Sequence, residues 1–208
     1  MFELMKFRTM DLQKSWFNLR SVTRLIYTVL FIQSSLAAQD VSYTGNGRDD
    51  KWSTSSNWNN SSIPNSIAIG AAFINDATHV IIETGTTSVC RGFMLGMYGA
   101  ANTAQISGGD LSCDWLDIGR SNQFGGDGTL TISSGSVAVS GTLSIPQQFG
   151  SNTDPANIGQ GQLYVSGGSI TANSIQIGNG LNGANGGIGS ISITGGSLII
   201  NGDKRVQL

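Results

Sequence analysis

AQISGGDLSCDWLDIG (104–119), LTISSGSVAVSGTLSIP (130–146), LYVSGGSITANSIQIG (163–178) and ISITGGSLIING (191–202) are four versions of one pattern. Their anchor glycines are Gly109, Gly135, Gly168 and Gly196, and the residue three positions earlier is always Ile or Val: Ile106, Ile132, Val165, Ile193. A degenerate fifth copy, VIIETGTTSVCRGFMLG (80–96), precedes them and is anchored on Gly85, giving spacings of 24, 26, 33 and 28 residues. In each unit an alternating strand meets a small-residue turn (SGGD, SSGS, SGGS, TGGS), a second short strand follows, and a third ends in Leu or Ile next to glycine or proline. Alternation with β-branched residues marks strands with one buried face, and glycine supplies the positive φ that tight turns need. One such unit cannot bury its own apolar face; stacking like strands at about 4.8 Å does so and satisfies their backbone hydrogen bonds. The pattern therefore predicts an all-β chain built as a parallel β-solenoid of about five rungs, right-handed by the crossover rule. A sandwich or a propeller leaves the shared glycine turn at one fixed point of every unit unexplained.

Composition agrees with this and removes other classes. Only 24 of 208 residues are charged, about half the usual share, and the 29 glycines are about twice theirs. A net charge of −2 lacks the basic face that nucleic acid binding requires. So many glycines with so few Glu, Lys and Arg leave little for helices, while 39% hydrophobic residues at low net charge is enough to collapse. Between Ala104 and Asn201 there are five Asp and one Arg; in-register stacking places like side chains side by side, where like charges repel.

The ends of the chain read differently. Residues 1–38 combine five bases (Lys6, Arg8, Lys14, Arg20, Arg24), the apolar run LIYTVLFI (25–32) and the small residues Ser35 and Ala37, the layout of a secretory signal peptide. Eight apolar residues are too few to span a bilayer, which takes about 20. The long basic region also suggests a start at Met5 or Met10. Without residues 1–37 the chain holds 6 bases and 11 acids, a net of −5. The expected domains are the signal peptide, a Trp/Asn-rich cap segment at 39–78, repeats at 79–202, and a truncated tail at 203–208. The stop at NGDKRVQL falls mid-architecture and reads as a fragment whose uncapped end favours end-to-end association.

The succession of LTISGGS-like strands, Ile-Gly rung ends and Asn/Gly loops resembles the repeat of bacterial autotransporter passengers and of PEP-CTERM-associated surface proteins. The stretch around Trp52, Ser53, Asn57, Trp58 and Pro64 is similar to the Trp-rich segment that opens such domains. The resemblance implies a pectin-lyase-like β-helix that is secreted or held at the cell surface, acts as a structural or adhesive module without catalysis, and meets extracellular glycans or cell-surface material. It implies no cofactor, no nucleic acid and no membrane span in the mature chain. The competing class is a carbohydrate-active β-helix, either a lyase or hydrolase or a glycan-binding module.

Few residues carry chemistry. Asp110, Asp114 and Asp117 with Arg120 occupy one unit, the only constellation resembling the acid clusters of β-helical polysaccharide-active enzymes. Asp114, Asp117, Arg120 and Trp115 are the binding candidates, although alternation puts Asp114 and Asp117 on different parities unless a corner intervenes. Trp52, Trp58 and Phe124 could stack on sugars, but the two tryptophans are better used covering the first rung. Cys90 and Cys113 each lie five residues before a rung end, with Ser140 and Ala172 at the equivalent places. They sit within disulfide distance on neighbouring rungs, either as a bridge or as a stacked pair of inward thiols. His79 is the only histidine, GGDG (125–128) lacks the nine-residue period of calcium-binding repeats, and no metal site is expected. The connections 119–127, 146–160 and 178–187 absorb the differences in spacing and are expected on one side, where binding would be sought first.

Overall fold

The computed structural model describes residues 39–70, 72–74, 78–97, 99, 101–120, 125–148, 158–180, 186–202 and 206–207. The signal-peptide expectation for 1–38, the Phe124 candidate and the middles of the longer connections lie outside these. The described residues carry thirteen strands: β1 (Val41–Tyr43), β2 (Ala72–Ile74), β3 (His79–Glu83), β4 (Thr87–Val89), β5 (Gly92–Leu95), β6 (Ala101–Cys113), β7 (Trp115–Ile118), β8 (Asp127–Gln148), β9 (Gln160–Val165), β10 (Ser169–Gly180), β11 (Ile188–Ile193), β12 (Ser197–Ile200) and β13 (Val206–Gln207). The rest is turns and two short 3-10 segments, Ser55–Asn57 and Asn59–Ser61. The fold is all-β and its strands pair in parallel in one sheet.

Pairing runs in three columns. The first strand of each unit pairs in the order β3-β6-β8-β9-β11. The second pairs as β4-β6-β8-β10-β12, and the third as β1-β2-β5-β7-β8-β10-β13. Identical positions meet across units, so Ile82, Ile106, Ile132 and Val165 lie side by side, each at most 1% exposed. Leu111, Val137 and Ile170 form the matching line of the second column, and Phe93, Leu116 and Leu143 that of the third. Each fully buried aliphatic side chain contributes about 1.5–3 kcal/mol by leaving water.

Several features depart from the sequence reading. Pairing continues through the first turn, so the first and second strands of a unit merge in β6, and β8 runs through all three positions. The stack also extends beyond 79–202. β1 and β2 of the cap segment join the third column, and β13 pairs with Ile175 and Gln176, so part of the tail completes the last unit. The turn of the first copy is longer than its neighbour's: Glu83 pairs with Gly108 and Thr87 with Asp110, so Thr84, Gly85 and Thr86 lie across from Gly109 alone. Glu83 itself pairs with both Ser107 and Gly108, and Gly85 and Gly108 take the positive φ of the two turns, +85° and +104°.

In the next three units the turn glycines are Gly135, Gly168 and Gly196, with φ of +86°, +70° and +72°. A β-carbon on Gly168 would overlap the carbonyl oxygen of Gly135, and one on Gly196 that of Gly168. The connections share a seam as well. They leave the third column after Leu95, Ile118, Gln148 and Gly180 and re-enter the first at Ala101, Asp127, Gln160 and Ile188, residues that pair in one register.

Trp52 and Trp58 are 1% and 2% exposed. Their rings meet edge to face at 4.7 Å, Trp52 also packs on Phe93 at 5.5 Å, and Trp58 packs on Tyr43 at 5.2 Å. Asn57, fully buried, ties this segment together: its amide donates to Asp49 and to the Lys51 carbonyl, and its side-chain oxygen accepts from the Gly47 N–H.

Replacing Gly168 by Ala should lower stability by about 2 kcal/mol or more, combining the left-handed penalty of an L-residue with the carbonyl overlap. A urea unfolding midpoint that falls with an unchanged slope would register it.

Candidate functional site

The aspartates of the 104–119 unit separate by column and not by parity: the chain bends at Asp114, between β6 and β7, so that Asp114 and Asp117 both point outward, from different columns. Asp117 points to the outer face of the third column, yet only 4% of its side chain is exposed. It lies in a line with Met94 and Ser144, which are equally covered. Arg120 donates to its carboxylate at 3.0 Å, and Ser144 adds a second hydrogen bond. Burial dominates these and raises the pKa of Asp117 above the usual carboxylate range; Arg120 and Ser144 oppose the shift. The Arg120 guanidinium also stands 5.7 Å from the Trp115 ring centroid. That indole is half-buried against Gly92, where a β-carbon would overlap it. Trp115, Asp117 and Arg120 thus come together, with the indole wedged between a neighbouring unit and a cation rather than offered as a flat platform.

Asp114 belongs elsewhere. It is exposed beyond the end of β6, where its carboxylate accepts the Ser140 hydroxyl at 2.9 Å. Asp110, on the second column, accepts the Ser136 hydroxyl of the next unit. The three carboxylates therefore do not converge on one point, as a paired acid and base would require. Among the described residues no three His, Cys, Asp or Glu side chains gather as metal ligands would.

Cys90 and Cys113 are free thiols, 0% and 3% exposed. Val89 pairs with Ser112 and the Cys90 N–H donates to the Ser112 carbonyl, so continuing the register by one residue sets the cysteines side by side. Their line continues through Val139, not Ser140, and Ala172. Counting back from the unit ends misses this because an extra residue enters between Val139 and Thr142: Cys113 pairs with Val139, 26 residues on, but Leu116 with Leu143, 27 on. Burial pushes the Cys90 thiol up to about 12 and raises Cys113 well above its ordinary value, which leaves little thiolate to attack or to bind a metal.

The sequence reading also passed over a cleft of about 410 Å3 that crosses the units where the second strands end. Its polar side is Asp114, Ser140, Asn173 and Asn201, all exposed. Its floor is Ser112, Ala138 and Thr171, which pair in register. Ile67, 63% exposed, joins the wall from the cap segment. The sequence signal was present: Ser140 and Asn173 each follow the last inward residue of the second strand by one, as Asp114 follows Cys113. Elsewhere, buried hydrogen-bonding atoms without partners are the Tyr43 and Ser88 hydroxyls and both amide atoms of Gln148.

Comparison of the chain with protein-family models, with curated proteins and with solved structures returns no match.

Two outcomes follow from these environments. Native protein at neutral pH should give no thiol reaction and denatured protein two; none after denaturation without reductant would establish a bridge instead. For Asp117, a folded pKa above the unfolded one means that its ionisation costs stability, fully absent below the unfolded pKa and complete above the folded one. Asp117→Asn should therefore gain on the wild type as pH rises through the carboxylate range and hold a constant difference above it, read as urea midpoints between acid and neutral pH.

Proposed function

We propose that the chain is an exported structural or adhesive module, a right-handed β-solenoid of about five rungs that acts passively by holding its flanks and connections on a stiff rod. The observation that carries this reading is the register: like positions of units 23 to 33 residues apart pair strand on strand in three columns. Such stacking suits extended, repetitive surfaces. The basic and apolar leader at 1–38 supports delivery to the cell surface or beyond, as in the autotransporter and PEP-CTERM-associated proteins whose repeats it resembles. Extracellular glycans or cell-surface material are the partners such a module would meet.

Within the carbohydrate-active class, a lyase or hydrolase is less well supported. Hydrolysis or elimination needs titratable groups set at different pKa values around one point, whereas Asp117 is covered and tied to Arg120 and Asp114 stands apart with Ser140.

Protein coated on a surface should retain bacterial cells or polysaccharide-coated particles, while the same protein in solution releases no reducing ends or unsaturated products from a panel of polysaccharides. Product release proportional to protein, abolished in Asp117→Asn, would move the chain into the enzymatic class.

A further inference from the structure

We propose that the cleft along the ends of the second strands is a binding site for a neutral linear glycan, laid along the stack with successive sugars meeting successive repeat units. The inference rests on the adhesive reading and gives it a location and a ligand class.

The cleft presents two parallel stripes. On the rim, Asp114, Ser140, Asn173 and Asn201 come from four consecutive units. Strand pairing holds them in step: Gly141 donates its N–H to the Asp114 carbonyl, Asn201 to that of Ala172, and Gly202 to that of Asn173. At about 4.8 Å per step the stripe is about 14 Å long. Asp114 and Ser140 bond to each other, whereas the carboxamides of Asn173 and Asn201 make no hydrogen bond within the described protein. Two residues back, Ser112, Ala138 and Thr171 form the second stripe, and Ile199, just outside the cleft lining, continues the row by pairing with Thr171. It is small-sided and becomes apolar toward Ile199, which is 46% exposed.

This arrangement selects among polymers. Saccharides carry hydroxyls around the ring edge and C–H groups on its faces, matching a row of amide, hydroxyl and carboxylate groups beside a small-sided row in which Ala138, Thr171 and Ile199 offer methyls. An extended peptide binds through its main chain to a free sheet edge, whereas β6, β8 and β10, which carry Ser112, Ala138 and Thr171, are each paired on both sides; of the described strands beneath the two stripes, only β12 with Ile199 has an open side. Polyanions require cations, but no Lys or Arg lines the cleft among the described residues and a carboxylate does. The site is also repeated at fixed intervals, and a polymer with its own repeat can engage several units at once, raising affinity with length.

The test uses the full chain on immobilised linear oligosaccharides of two to six sugars, covering neutral glucans, mannans, galactans and xylans, with uronate oligosaccharides and extended peptides alongside. At least one neutral series should bind, with affinity rising up to about four sugars and levelling off. Ala138→Trp, which fills the exposed floor, should weaken that binding at least tenfold with circular dichroism and thermal midpoint unchanged. The rim variant Asn173→Ala/Asn201→Ala should do the same, and carries the test should the tryptophan disturb folding. Failure of every neutral series, no dependence on length, full binding by the folded variants, or preference for uronates or peptides would each overturn the proposal. Surface retention that persists in a folded Ala138→Trp protein would overturn the cleft alone, whereas loss of retention in the wild type would overturn the adhesive reading beneath it.

Discussion

Each repeat unit depends on its neighbours for its backbone hydrogen bonds. A buried unpaired N–H or C=O costs about as much as a lost hydrogen bond, so each strand must present its ladder to a partner. Here the partner is the same strand of the next unit, in parallel and in register. Much else follows from that. Inward positions must be apolar in every unit because they stack on themselves, turn positions must be glycine where the carbonyl of the preceding turn leaves no room for a side chain, and insertions must be confined to a place where no ladder runs.

The same register governs charge. Outward positions also stack on themselves, and a row of like charges a strand apart repels. Hydroxyl and amide groups escape this because they donate and accept along the row, as Thr142 and Ser174 do at 2.9 Å. The carboxylates of the 104–119 unit are each matched to a neutral or cationic neighbour: Asp110 to Ser136, Asp114 to Ser140, Asp117 to Arg120 and Ser144. Asp117 is the costly member, because it is outward by parity but covered.

The strands, their inward faces and the turn glycines were legible from alternation and the recurring Gly-Gly step, since both are local. Register at the edges of a unit was less so. In the 80–96 copy three residues, Thr84 to Thr86, face Gly109 alone, a difference in turn length that the spacing of anchor glycines does not show. Counting back from the unit ends matches Ser140 to the cysteines because an inserted residue shifts the third column of that unit against its second. Alternation set Asp114 and Asp117 on opposite faces, but the bend at Asp114 resets the parity and turns both outward, from different columns. The cleft stayed hidden because its walls come from four units and from Ile67, whose approach depends on how the cap segment returns to pair Asn65 with Val89. Such closeness arises from tertiary stacking and leaves no local trace.

All the longer connections cross one seam, between the end of the third column and the start of the first, and their lengths differ from unit to unit while the columns on either side keep step. Length changes at that seam are thus mechanically decoupled from the stack, so additions there do not propagate as register errors. Evolution gains one site at which novelty is tolerated independently in every unit. For engineering, the seam is a row of equivalent graft points whose spacing along the axis is set by strand pairing rather than by the grafted sequence.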